Sequence, residues 1–170
     1  MPKIIENLEQ RLLEEAGRQL QQTGYGAMTV RSVAAACGVG VGTVYNYFPS
    51  KDALVAAYLL SDWNICVSAI ETVSAESISP APVVRCIYDQ LVTYAQRHLS
   101  VFRDEAAASG FSGSFGPYHA MLRRQLAAPV EKFCEDAFAA EFIAEALLTW
   151  AMAGKTFDEI YSMIGKLFKE

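Results

Sequence analysis

Thr29-Val30-Arg31-Ser32-Val33-Ala34-Ala35-Ala36-Cys37-Gly38-Val39-Gly40-Val41-Gly42-Thr43-Val44-Tyr45-Asn46-Tyr47-Phe48-Pro49-Ser50-Lys51-Asp52 reads as two short helices joined by a tight turn, followed by the start of a long helix. Thr29 suits the N-cap of a helix over 30–37, because its side-chain oxygen can accept an otherwise unpaired backbone N–H. Val30, Val33, Ala34 and Cys37 fall at i, i+3, i+4 and i+7 and make one buried face. Gly38 stops that helix, and Val39-Gly40 form the turn. A second short helix over 41–48 is halted by Pro49, and Ser50 caps a long helix that begins at Lys51, with Asp52 in its first turn. Two helices of about two turns around a short glycine-containing turn are the helix-turn-helix pattern.

The second short helix sorts its residues by chemistry. At about 100° per residue, Val41, Val44, Tyr45 and Phe48 share one side, an apolar surface for packing. Gly42, Thr43, Asn46 and Tyr47 share the other: a gap, a hydroxyl, an amide and a phenol, with no charge and no large aliphatic group. Such a surface suits a DNA major groove, where hydroxyls and amides meet phosphates and base edges.

Working outward, Leu8, Leu12, Ala16 and Leu20 mark a helix over 3–22, ended by Thr23-Gly24-Tyr25-Gly26. Further helices are expected over 51–73, 83–99, 101–108, 118–138, 141–153 and 156–168. Serine- and proline-rich residues 74–82 read as a loop, and Gly/Ser-rich residues 109–117 as the most flexible segment. No useful strand-like alternation or repeat is present, so the expected fold is all-α with about nine helices. The expected division falls after residue 50, with the helix-turn-helix in residues 1–50 and the remaining helices in residues 51–170.

The net charge of −5 argues against a nucleic-acid partner, but its distribution does not. Residues 1–52 carry five basic and five acidic side chains, whereas 53–170 carry nine and fourteen. No Asp or Glu occurs over residues 16–51, which contain Arg18, Arg31 and Lys51. An acid-free window in an acidic chain is compatible with a phosphate-facing surface.

The stretch from Thr29 to Leu54 closely resembles the DNA-binding signature of the TetR family of regulators. That signature places Thr before a buried short helix, then Gly-Val-x-x-Gly-Thr-hydrophobic-Tyr-x-Tyr/His-Phe, then Lys before an acid and Leu. The resemblance covers residues 5–60; beyond residue 60 it extends only to helix number and length. It implies that Thr29, Thr43 and Tyr47 bind phosphates and that Lys51 adds charge there. It also places Arg31 within reach of a guanine edge and Val41, Gly42 and Tyr45 at base-touching positions. Asn46 belongs to the same exposed face. Gly40 and Val41 depart from the family, which commonly has polar or long side chains there, so DNA shape and thymine-methyl contacts are expected to supply more of the reading.

Double-stranded operator DNA and a second copy of the chain are the implied macromolecular partners. The resemblance implies pairing of the last two helices with their twofold copies, for which the stripes Ile143, Ala146, Leu147, Trp150 and Phe157, Ile160, Tyr161, Ile164, Phe168 are the candidates. A small organic ligand is expected among Trp63, Cys66, Tyr88, Tyr94, His98, Phe102, Phe111, Phe115, Tyr118 and His119, with plain core filling the competing reading.

Other classes find less support. Cys37, Cys66, Cys86 and Cys134 are widely spaced and read as reduced core thiols; His98 and His119 are too scattered for a metal cluster. No nucleophile–base pairing or cofactor loop is apparent, so neither an enzyme nor a cofactor is expected. The apolar stretch 53–70 is broken by Asp62 and Asn64, so no membrane span is expected, and the N-terminus lacks a signal-peptide block, pointing to the cytoplasm. A helical ligand-binding or scaffold protein without specific DNA binding remains the alternative.

Overall fold

A computed structural model of the chain describes residues 7–111 and 115–169, apart from the side chains of 110, 111, 115 and 116. The described residues form α1 (Leu8–Ala27), α2 (Val30–Cys37), α3 (Val41–Tyr47), α4 (Lys51–Glu76), α5 (Pro80–Arg97), α6 (Leu99–Phe102), α7 (Glu105–Phe111), α8 (Phe115–Glu131), α9 (Ala137–Met152) and α10 (Phe157–Ile164), closed by a 3₁₀ turn at Gly165–Leu167. The fold is all-α, with ten helices among the described residues where about nine were expected.

The boundaries that moved did so for local reasons. In α1 the regular helix breaks at Gly24, whose φ of 80° leaves the helical region, and one further turn carries Tyr25 into the core. Pro80 opens α5 rather than extending the preceding loop, because a proline in the first turn forfeits no helical hydrogen bond. The helix expected over 101–108 is two: Asp104 separates them and its Oδ1 accepts the N–H groups of Ala106 and Ala107 at 3.0 and 3.1 Å. Likewise α8 ends at Glu131 rather than 138, and Asp136 starts α9 at Ala137 by accepting the Ala139 N–H at 2.8 Å.

The chain divides into two compact units, one of residues 1–62 with 97–112, the other of 63–96 with 113–170. In the first unit, Leu12, Leu20, Met28, Val33, Val44 and Leu54 are buried together. Burial stabilises by roughly 1.5–3 kcal/mol for each large aliphatic side chain, far more than the intrinsic helicity of elements as short as α2 and α3 can supply. In the second unit α8 packs along α9, and Leu126, Val130, Ile143, Leu147, Ile160 and Ile164 are buried. α4 is long and apolar enough to cross a membrane by length and composition. Of its apolar residues, Leu54 and Val55 are buried in the first unit and Trp63, Cys66 and Ile70 in the second.

Candidate nucleic-acid interface

α2 is held by a reciprocal cap. The Thr29 Oγ1 accepts the Ser32 N–H at 3.0 Å, and the Ser32 Oγ accepts the Thr29 N–H at 3.1 Å. Thr29 is thus occupied as a cap, with its side chain at the surface. Gly38 ends α2 with a φ of 71°, a left-handed conformation that L side chains resist, and its N–H reaches the carbonyls of Ala34 and Ala35. This turn redirects the chain so that α3 lays Val44, fully buried, and Phe48 against α1, α2 and α4.

With Val44 and Phe48 inside, the rest of α3 is committed. Gly42, Tyr45, Asn46 and Tyr47 are exposed, and Val41 and Thr43 half-buried. Tyr45 therefore departs from the apolar face on which the wheel placed it: it is 49% exposed, because the buried arc centres on Val44 and Phe48 and ends short of it. Tyr47, 46% exposed, borders an open cleft of about 400 Å³ that it shares with Asn7, Leu8, Glu9, Gln10 and Leu13 of the start of α1. Arg31 is exposed on α2. The outward face of α2 and α3 therefore combines hydroxyls, an amide and a guanidinium with no carboxylate of its own.

Lys51 has a structural task that the sequence reading did not assign. Its Nζ donates to the Tyr25 carbonyl and sits 4.1 Å from the centre of the Tyr25 ring. The Tyr25 hydroxyl in turn donates to Asp52. Burial, and then the bond and charge of Asp52, push the Tyr25 phenol up to about 12, so it stays protonated and donating. This clasp ties the end of α1 to the first turn of α4. An ammonium has three donors, so bonding the Tyr25 carbonyl leaves others for a phosphate.

A second feature was visible only as an interruption. Asp62, inside the apolar run of α4, is buried and accepts from Arg97 Nη1 at 2.6 Å and pairs with His98 Nε2 at 2.7 Å. The Tyr58 ring meets the His98 ring edge-on at 5.4 Å. Burial pushes the His98 imidazole below the ordinary histidine value despite the opposing pull of Asp62. A buried charge must be paired; an acid within an apolar stripe was the signal for this cluster.

The expected ligand-pocket residues are dispersed. Trp63 and Tyr94 meet edge-on at 5.3 Å, and the Trp63 indole N–H donates to Gln125 at 2.7 Å. Tyr88 instead faces Phe157 and donates to the Lys155 carbonyl at 3.0 Å. His119 pairs with Glu145 at 3.4 Å, Cys66 is buried, and Tyr118 is at the surface. His98 and Phe102 belong to the first unit and the other described members to the second. The side chains of Phe111 and Phe115 lie outside the described residues. Several polar tips offered to a ligand by the sequence are thus spent on the chain itself.

The expected dimer stripes are largely covered within the single chain. Ile143 and Leu147 have no exposed surface within the single chain, and Ile160 and Ile164 only 5% and 2%. A side chain already removed from water has no area left to bury against a partner. Phe157, Tyr161 and Phe168 form a stacked row, with ring centres 5.2 and 6.5 Å apart, and are half-buried. Of the residues expected at the interface, Trp150 is open, 51% exposed, and it is joined by Phe138, Phe142 and Met152 of α9 and Met163 of α10.

Residues 12–58 match the model of the family described as bacterial regulatory proteins, tetR family. Over 77 residues, 45% of this chain, the sequence is 30% identical to the HTH-type transcriptional regulator YuxN of Bacillus subtilis (strain 168). The match spans about a quarter, 26%, of that relative's length. Among solved structures, the fold is similar to the transcriptional regulator SCO7518 of Streptomyces coelicolor A3(2), with a TM-score of 0.72 at 12% identity over 95% of this chain and 98% of that one. It is also similar to a TetR transcriptional regulator of Legionella pneumophila, with a TM-score of 0.60 at 18% identity over 98% and 100% of the two chains.

Proposed function

We propose, from the match of residues 12–58 to the tetR family of bacterial regulatory proteins, that the chain is a regulator of that family and works in the cytoplasm as a dimeric repressor that binds a palindromic operator and is released by a small organic ligand. The observation that carries this reading is the outward face of α3. Gly42, Tyr45, Asn46 and Tyr47 point away from the core inside a 36-residue window without a carboxylate. Thr43, Tyr47, Thr29 and Lys51 then act as phosphate contacts that set the position of α3, while Arg31, Val41, Gly42, Tyr45 and Asn46 approach the bases.

Dimerisation follows from what α9 leaves uncovered. Phe138 and Phe142 are 74% and 53% exposed one helical turn apart, with Trp150 and Met152 further along the helix. Apolar side chains clustered on one element mark an interaction surface, and a twofold copy presents the same surface in return. Two such subunits place two copies of α3 on successive major grooves, about 34 Å apart or a multiple of that. A ligand held in the second unit, where Trp63, Cys66 and Tyr94 lie, favours a conformer with a different spacing, so ligand and DNA weaken each other reciprocally.

Selection of bound duplexes from a random pool tests the reading. An inverted repeat is expected, with half-sites separated by a whole number of helical turns. Recovery of unselected sequence at every salt concentration overturns specific DNA binding, and enrichment of a single half-site overturns the dimer.

A further inference from the structure

Gly42 is a glycine that the fold does not use. Its backbone is outside the left-handed region, and a Cβ added there meets nothing within 4 Å. It occupies the second position of α3, a seven-residue helix. Within a helix, alanine is the more favourable choice, since glycine gives up more backbone freedom on folding. A residue that weakens a short helix without relieving any contact invites an explanation outside the chain.

The neighbours of Gly42 supply one. On α3, Asn46 lies one turn after Gly42 on the same strip, at about 140° against about 100°. The exposed arc runs from Tyr45 at about 40° to Tyr47 at about 240°, so Asn46 sits at its centre and the two rings stand about 100° to either side. Among the described residues the Asn46 amide has no hydrogen-bond partner, and its side chain is exposed. The outward crest of α3 is therefore a notch followed by a free primary amide, flanked by half-exposed phenols.

Resting on the regulator reading, we infer that Gly42 and Asn46 form the sequence-reading strip of α3 and that Asn46 specifies one adenine in each operator half-site. A major groove about 12 Å wide barely admits a helix about 10–12 Å across. The missing side chain at Gly42 lets the backbone settle closer to the base edges and brings the amide within reach. Asn46 Oδ1 then accepts from the adenine N6 amino group while Nδ2 donates to N7, a pairing that the other bases cannot reproduce. Tyr47, set to one side, faces a wall of the groove, and Tyr45 on the other side approaches the neighbouring bases.

The test is the random-duplex selection run in parallel on wild type, Asn46→Ala, Asn46→Gln and Gly42→Ala, with thermal melting of each. The wild-type motif is expected to hold adenine at one position per half-site. Asn46→Ala flattens that position alone and lowers affinity for the wild-type motif by about 5- to 150-fold per half-site, the range for one good bidentate base contact. Asn46→Gln, which has the same donor and acceptor, keeps a residual adenine preference. Gly42→Ala melts at or above the wild-type temperature yet binds the motif more weakly. If wild type selects a motif that Asn46→Ala reproduces at every position, Asn46 is not the reader, although DNA binding stands. If Gly42→Ala binds as wild type does, or melts earlier, the notch is wrong. If wild type selects nothing, the regulator reading falls first, and this inference with it.

Discussion

α2–α3 and α9–α10 announce themselves in the same way, as apolar stripes at helical spacing, and they use those stripes with different consequences. In α2–α3 the stripe of Val30, Val33, Ala34 and Val44 is spent on the unit's own core, and the opposite face stays exposed. In α9–α10 the stripe of Ile143, Leu147, Ile160 and Ile164 is also spent at home, although its sequence suits a partner equally well. The apolar side chains left uncovered in the single chain are Phe138, Phe142, Trp150 and Met163, of which only Trp150 belongs to the expected stripes. Periodicity identifies the face that is buried; it does not say by which chain.

The largest break of this comparison is a cavity in the second stripe. Leu147 is fully buried within the chain, so Leu147→Ala is expected to lower stability by about 2–5 kcal/mol through lost transfer energy and an unfilled cavity. The denaturant midpoint reads this directly. A Leu147→Ala protein that dissociates into monomers yet unfolds at the wild-type midpoint would return the stripe to the interface.

What the sequence disclosed follows the same division. Thr29, Gly38, Pro49 and the face of α2 were legible because caps, stops and i+3/i+4 spacing act over a few residues of chain. The outward placement of Asn46 and Tyr47 followed once Val44 and Phe48 were recognised as core. Tyr45 was misplaced because a helical wheel gives direction but not how far a neighbouring helix covers it. The Asp136 cap of α9 went unseen because the apolar run on either side of it reads as continuous helix. Asp62 appeared only as an interruption, since its partners Arg97 and His98 stand 35 and 36 residues away. Ownership of the α9–α10 stripe depends on packing of that same long-range kind.

The Asp62 cluster gives a pH test of the first unit. Burial lowers the His98 imidazole, with Asp62, Arg97 and Tyr58 around it. The unfolded chain therefore binds the proton at a higher pH than the folded one. The stabilisation is complete above the ordinary histidine value and is lost as pH falls from there through the lower folded value. A single proton allows a slope of up to about 1.4 kcal/mol per pH unit. Melting temperature followed downward from pH 7 is expected to drop more steeply for wild type than for His98→Gln. Parallel curves would show that His98 titrates as an ordinary surface histidine.

Removing the cap of α2 is a smaller perturbation, and one that bears on the recognition face. Thr29→Ala unpairs the Ser32 N–H and costs about 1 kcal/mol. Thr29→Ser keeps the acceptor and is expected to restore most of that stability. DNA affinity that falls with Thr29→Ala and returns with Thr29→Ser assigns the hydroxyl to binding, to the cap, or to both. Salt dependence tests Lys51 rather than Thr29, because loss of a neutral hydroxyl, whether cap or phosphate contact, leaves the counterion slope almost unchanged, whereas Lys51→Met reduces it by about 0.9 per subunit if that ammonium meets a phosphate.

The smallest expected effect on folding sharpens the comparison most. Phe142 is 53% exposed, so Phe142→Glu leaves most of its environment intact and is expected to change the stability of the separated subunit by about 0.5 kcal/mol or less. In a twofold pair the same substitution sets carboxylates against an apolar surface, with Glu141 and Glu145 already nearby in sequence. Burial of an unpaired charge is costly, so sedimentation of Phe142→Glu is expected to give monomers where wild type gives dimers. Such monomers would also lose the steep operator binding of two coupled half-sites while keeping the weaker grip of one α3. A Phe142→Glu protein that remains dimeric would move the partner surface to Trp150 and Met163, because the stripe of Ile143, Leu147, Ile160 and Ile164 is already filled from within.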